Sequence, residues 1–266
     1  MTLMRRVVLV LAILAGPAVA QDIPVLDPTS LPVAKAQIVA TYPHDPEAYT
    51  EGLFYENGKL WESTGTVGKS GIRKVDLMTG KVLMRVAVNP PLYGEGIAPW
   101  GNQILSLTWK NHVGFRWSKD KLKKLGEFKY AGEGWALTGD GASLIMSDGT
   151  PVLRFVDPVT FKVTRTVTVT HDGQPLINLN ELEYVDGEIL ANVWLTDRIA
   201  RIDPKSGDVI GYIDVAALHR QAGNTAADDI PNGIAWDAKG RHLYVTGKDW
   251  PILFEIAPPK DAVSTP

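Results

Sequence analysis

The sequence predicts an all-β protein: a five-bladed β-propeller closed by an N-terminal strand that completes the last blade. Three observations predict it. A short line recurs five times, as Glu51-Gly52-Leu53-Phe54-Tyr55, Glu95-Gly96-Ile97-Ala98, Glu133-Gly134-Trp135-Ala136, Asn180-Glu181-Leu182-Glu183-Tyr184 and Asn232-Gly233-Ile234-Ala235-Trp236. Repeats of short strands at roughly 40–50 residues mark propeller blades. A second line recurs independently around an Asp-containing turn, in Val75-Asp76-Leu77-Met78-Thr79-Gly80, Val156-Asp157-Pro158-Val159-Thr160 and Ile202-Asp203-Pro204-Lys205-Ser206-Gly207. Finally, the last unit is one strand short, and a spare strand at residues 36–41 can complete it. That pairing closes the ring and removes two sheet edges.

The elements follow in order. Residues 1–20 read as a signal peptide: Arg5 and Arg6 precede an apolar run over 7–15, and Ala18-Val19-Ala20 supplies a small-residue cleavage site. The run is too short to span a bilayer comfortably. Export to the periplasm or outside the cell is therefore expected, without stable membrane insertion. Residues 21–35 are Pro-rich and read as a linker or extended arm, 36–257 as the propeller, and 258–266 as a tail. In each blade the repeated line is the first strand. Turns such as Gly139-Asp140-Gly141 and Asp186-Gly187 lead into the second, for example 59–64 and 241–246. The Asp turns join the third strand to the fourth, as at 82–88, 162–169 and 209–213. Residues 215–222 are expected to be helical, and 224–229 an exposed loop.

Composition narrows function by exclusion. The 266 residues carry a net charge of −3, so no basic field points to nucleic acid. There are no cysteines, so packing and ring closure must hold an exported fold together. The closed ring needs no partner, and a monomer is expected. The five histidines lack ligand spacing and read as scattered surface or turn residues.

First strands of a propeller line its central channel, so Glu51, Glu95, Glu133, Asn180 and Asn232 are expected to face one another at its mouth. Tyr49, Tyr93, Trp109, Trp135 and Trp194 fall near the same rim. Trp109 and Trp194 lie equally far beyond Gly96 and Glu181, hence at equivalent sites in different blades. Lys248 ends the corresponding strand of the fifth unit. Carboxylates, amides, a lysine and an aromatic wall in one concavity have the composition of a binding pocket. Crowded glutamates must be protonated, paired with Lys248 or bridged by a cation. The residues themselves leave acid/base machinery and a metal ring both open.

At these residues the chain resembles the glutamine cyclotransferases of the plant and bacterial type, from about Tyr49 to Ile256. The strings that carry the resemblance include Glu62-Ser63-Thr64-Gly65, Tyr93-Gly94-Glu95-Gly96, Ser147-Asp148-Gly149-Thr150, Leu179-Asn180-Glu181-Leu182-Glu183-Tyr184, Ala191-Asn192-Val193-Trp194 and Val245-Thr246-Gly247-Lys248-Asp249-Trp250-Pro251. The resemblance implies conversion of N-terminal glutamine in peptides and proteins to pyroglutamate with loss of ammonia. It implies no cofactor and no metal, with Glu95, Asn180 and Lys248 as catalytic residues. Tyr49, Glu51, Tyr93, Trp109, Trp135 and Trp194 would bind substrate. Plant members tend to carry Gln where this chain has Glu51 and Phe where it has Tyr93, so the contact at position 51 departs from the pattern. The alternatives are a metal-dependent, lactonase-like hydrolase, disfavoured by Lys248 beside the would-be cation, and a non-catalytic exported binding propeller.

Overall fold

The computed structural model describes residues 30–223 and 226–259. Five antiparallel sheets surround one axis. Their inner strands are Thr50–Glu56, Gly94–Trp100, Leu137–Gly139, Leu179–Val185 and Pro231–Asp237, and they contact one another in that cyclic order, the fifth returning to the first. The first four blades draw all four main strands from consecutive sequence. The fifth has three of its own and borrows Ile38–Pro43, which pairs antiparallel to Ile252–Ile256. The closure expected from sequence is present, shifted by two residues. The arm contributes one feature that its lack of periodicity concealed: Val33–Lys35 pairs parallel to Val209–Asp214 and covers the outer edge of blade four. The only α-helix among the described residues is Ala216–Ala222. The expected signal peptide, most of the arm and most of the tail lie outside the described residues.

The core is divided by the ring. Each interface between neighbouring blades holds its own apolar cluster, because each sheet is apolar on both faces and buries one against each neighbour. The seam between blades five and one has the smallest cluster, seven buried side chains including Leu53, Leu60, Tyr244 and Leu253. This is also the seam that the chain crosses directly after the borrowed strand, between Pro43 and Thr50. Polar contacts reinforce it.

The buried Glu62 is the centre of that reinforcement. Its carboxylate accepts hydrogen bonds from Thr50 Oγ1 at 2.7 Å and Arg73 Nε at 2.7 Å, and pairs with His44 Nε2 at 3.0 Å. Arg73 reaches on to Asp45, and His44 Nδ1 lies 2.6 Å from the carbonyl oxygen of Trp250. His44, read from sequence as a scattered surface residue, is in fact buried and joins the closing strand to blades one and five. Burial alone would push the Glu62 carboxyl up, but the charges of His44 and Arg73 outweigh it and draw its pKa down from 4.5 to about 2. A carboxylate depressed in the fold stabilises it above the unfolded pKa, and that contribution is lost as pH falls towards the folded value.

Arg73→Ala therefore leaves a buried carboxylate short of a partner. It should lower unfolding free energy by about 3–5 kcal/mol in urea titrations at pH 7. Wild-type stability should fall steeply between pH 4.5 and about 2, with a shallower acid response in the variant.

Candidate active site

Each inner strand begins with an irregularity, and in four of the five it aims one side chain into the channel mouth. The ladder between first and second strands breaks between Thr50 and Gly52, Gly94 and Ile97, Leu179 and Leu182, and Pro231 and Ile234. Glu51, Glu95, Asn180 and Asn232 lie within these bulges, where an extra residue re-aims the side chain. In blade three the same break falls at Trp135 and Ala136: Trp135 donates its N–H to the Ser147 carbonyl, and Ser147 donates to that of Ala136. The fifth ring position is thus Trp135, not Glu133. The Glu-Gly string of that blade is displaced by two residues from its counterparts, and Glu133 stands on the rim.

Tyr49, Glu51, Tyr93, Glu95, Trp109, Trp135, Asn180, Trp194 and Lys248 line one cavity of about 380 Å³, joined by Lys110, Glu133 and Asp228. All nine expected site residues are brought together. Asn232 is not in the lining. It lies behind, donating from Nδ2 to the Thr50 carbonyl at 2.8 Å and to Glu51 Oε2 at 3.1 Å. Lys248 and Trp109 sit one residue past the ends of the second strands His242–Gly247 and Gln103–Thr108, and Trp194 one past Glu188–Val193. Their N–H groups bond back to Ile230, Tyr93 and Asn178 respectively. Those bonds place three different side chains at one height around the axis. Asp228, read from sequence as part of a solvated loop, also reaches the cavity, and no local pattern marks it.

The aromatic residues form a wall of linked edges. Tyr93 meets Trp109 at 5.6 Å and Trp135 meets Trp194 at 5.7 Å, both edge-to-face. Gly149 makes room for the wall: at φ +78° it lies under the Trp135 ring, and a Cβ there would come within 2.6 Å of it.

The two innermost carboxylates have opposite surroundings. Glu51 is 2% exposed and accepts three hydrogen bonds, from Lys248 Nζ at 2.9 Å, Tyr93 OH at 3.0 Å and Asn232 Nδ2. Burial raises its pKa, with those donors opposing. Glu95 is raised further, first by burial and then by the charge of Glu51. No described residue donates a hydrogen bond to its carboxyl group. Crowded carboxylates of unequal surroundings do not ionise together. Glu51 has the donors that favour its anion and Glu95 has none, so Glu95 holds a proton the more tightly of the two. Lys248, buried beside both, is held charged: burial would lower its pKa, and the attraction of Glu51 outweighs that. Its ammonium also lies 4.4 Å from the Tyr49 ring centroid. The Asn180 side-chain amide has no partner among the described residues and faces the cavity.

A family model described as glutamine cyclotransferase matches residues 7–257. The chain belongs to the glutamine cyclotransferase family. It is 43% identical to a glutaminyl-peptide cyclotransferase of Arabidopsis thaliana over 229 residues, 84% of this chain and 71% of that protein. Its fold matches the crystal structure of Myxococcus xanthus glutaminyl cyclase with a TM-score of 0.80, at 34% identity. That match covers 85% of this chain and 97% of the other. This glutamine cyclotransferase family member is an enzyme with a five-bladed propeller fold. No helix among its described residues is long and apolar enough to cross a membrane. No group of three or more His, Asp or Glu among them is arranged to hold a metal ion.

Glu51→Ala strips Lys248 of its buried counter-charge. We expect a loss of about 3–5 kcal/mol in urea unfolding at pH 7, and a smaller loss for Glu51→Gln, which keeps an acceptor oxygen for Tyr93 and Lys248.

Proposed function

We propose that this pocket closes the N-terminal glutamine of peptides and proteins to pyroglutamate, with Glu95 as proton carrier and with Asn180 and Lys248 as oxyanion donors. The observation that carries the proposal is the pair of unlike carboxylates: one fully hydrogen-bonded, the other raised in pKa and free of donors, at the end of an aromatic cavity. The family relationship supports the reaction class.

In this reaction the α-amine attacks its own γ-carboxamide carbon. A C–N bond forms and the carbonyl oxygen becomes an oxyanion. The attacking nitrogen loses a proton, the amide nitrogen gains one, the bond to it breaks, and ammonia leaves. Protons balance without net uptake. One carboxyl group that accepts from the first nitrogen and donates to the second suffices, and a raised pKa suits both tasks. Glu95 acts in its carboxylate form, taking the proton of the attacking nitrogen and returning it to the departing one. A proton left on the amine or on Glu95 stops the attack, so activity falls on the acid side.

Asn180 offers an unpartnered amide. Lys248 has three donor hydrogens and gives one to Glu51. Both can turn to the oxyanion. The attack is intramolecular, so its main requirement is a folded-back side chain, and the half-buried rings of Trp109, Trp135 and Trp194 confine one. The cavity is also rich in acid: Glu51, Glu95, Glu133 and Asp228 face Lys110 and Lys248. That charge draws in a cationic peptide N-terminus. Tyr49 and Tyr93 complete the wall, and Glu51 acts on substrate through Lys248 and Tyr93. The first twenty residues, read as an export signal, support action in the periplasm or outside the cell, and the closed ring supports a monomer.

Glu95→Gln should lower kcat by about 10²–10⁴-fold while KM moves little, measured as ammonia release from a short peptide beginning with Gln. Release should persist in EDTA. Near-normal turnover in the variant would remove Glu95 from the proton-carrying role, and loss of wild-type activity to the chelator would restore the metal-dependent alternative.

A further inference from the structure

Glu133 is the residue that the displaced repeat leaves on the rim. Its Oε2 accepts the indole N–H of Trp109 at 2.6 Å and that of Trp135 at 2.9 Å. Tyr93 and Trp109 form one edge-to-face pair, and Trp135 and Trp194 form another. The carboxylate is the hydrogen-bonded link between those pairs, and it joins blade two to blade three. We infer that Glu133 is a positioning residue whose single acceptor oxygen sets the ring planes of Trp109 and Trp135, and with them the shape of the cavity in which glutamine folds back. The inference rests on the cyclase reading of the pocket.

Three features favour this over an incidental rim contact. An indole has one polar atom, so a bond to it fixes the ring's rotation about its axis, and one oxygen bonded to two indoles fixes each relative to the other. The main chain carrying Glu133 is itself held from both sides. Arg154, paired with Asp148 at 2.8 Å, donates to the carbonyl oxygens of Ala131 and Glu133, and Gly134 donates to the carbonyl of Trp109. One face of Trp109 is covered too: Lys110 Nζ lies 3.8 Å from its ring centroid and 3.7 Å from Glu133 Oε1.

The carboxylate has a second, separable effect. Its charge adds to that of Glu51 in holding the Glu95 proton, opposed by Lys248. The groups facing Glu95 are Glu51 from blade one, Lys248 from blade five, Glu133 from blade three, and Tyr93 and Tyr130 from its own blade. Glutamine at position 133 keeps an oxygen able to accept from both indoles but lacks the charge, whereas alanine lacks both.

The test compares wild type, Glu133→Ala and Glu133→Gln on a short Gln-initiated peptide, with near-UV circular dichroism of the tryptophans. Glu133→Ala should lose on the order of tenfold to a hundredfold in kcat/KM, the effect of a misplaced substrate, and should lose tryptophan dichroism. Glu133→Gln should recover most of both, while its acid limb moves to lower pH because Glu95 loses a repelling neighbour. A merely structural role would lower the melting point without altering KM or the pH limb. Wild-type kcat/KM and dichroism in Glu133→Ala would overturn the inference, as would a Gln variant no better than Ala. Absence of ammonia release from wild type would instead sink the cyclase reading, and the dichroism would still report on the wall.

Discussion

The approach of five backbones to one axis is the constraint on which everything else rests. Gly96 lies so close to Ala136 of the next blade that a Cβ would overlap its main chain, and at Gly52 a Cβ would come within 2.7 Å of the Ile97 nitrogen. Glycine follows the bulge residue in blades one and two because a Cβ would strike neighbouring main chain, and in blade five because Gly233 sits at φ +128°, while alanine follows it in blade three. In blade four the position is Glu181. Its carboxylate fills the axis and accepts N–H groups of Leu53 at 3.2 Å, from blade one across the axis, and of Ile234 at 2.8 Å, from the neighbouring blade five. One layer deeper, Glu183 accepts from Trp236 N and Thr138 Oγ1, and burial pushes it up to about 8. The inner strands are sheet edges, so N–H groups facing the axis are free for these carboxylates, and the bulges at the strand starts turn Glu51, Glu95, Trp135 and Asn180 into the cavity. Packing at the axis and chemistry at the mouth are both set by the same inner strands.

The seam between blades five and one ties closure to the same site. His44 follows the borrowed strand directly and bonds the carbonyl of Trp250, two residues beyond Lys248. Thr50 contacts Glu62 through its hydroxyl, and its carbonyl takes the Asn232 amide that also bonds Glu51. A continuous polar chain therefore runs from Arg73 through Glu62, Thr50 and Asn232 to Glu51 and Lys248. With the smallest apolar cluster in the ring at this seam, the polar chain supplies specificity of docking that greasy packing alone would leave loose. Buried charges of this kind constrain geometry more surely than they add net stability.

The five blades, the borrowed strand and all nine pocket residues were legible in the sequence, because strand patterning repeats and ring closure demands a partner for the short blade. What escaped has a common physical cause. The bulge in blade three is defined by hydrogen bonds to Ser147, across a hairpin whose loop is longer than in blades one and four, so a local Glu-Gly string aligned Glu133 with the wrong position. His44 and Asp228 owe their environments to contacts with residues far away in the chain, and neither has a repeat or spacing of its own. Val33–Lys35 is too short for periodicity to show, and its pairing is specified by an outer strand nearly two hundred residues away. Local pattern encodes strands; which side chains meet is encoded by the ring.

Two carboxylates and one lysine in a small cavity could in principle share roles, and the hydrogen-bond inventory separates them. Lys248 has a fixed charge to neutralise, and Glu51, with Tyr93 and Asn232 also donating to it, is the group built to remain an anion. A carboxylate so fully engaged is a poor proton carrier, since protonation would forfeit those charge-assisted bonds. Glu95 loses nothing comparable on gaining or losing a proton, and the fixed anion beside it raises the affinity of its carboxyl for one. The substitution of a plant-type Gln by Glu51 thus does more than add charge at the pocket wall. It places a second, lysine-paired carboxylate where it holds Lys248 charged and raises the proton affinity of the neighbouring Glu95 carboxyl.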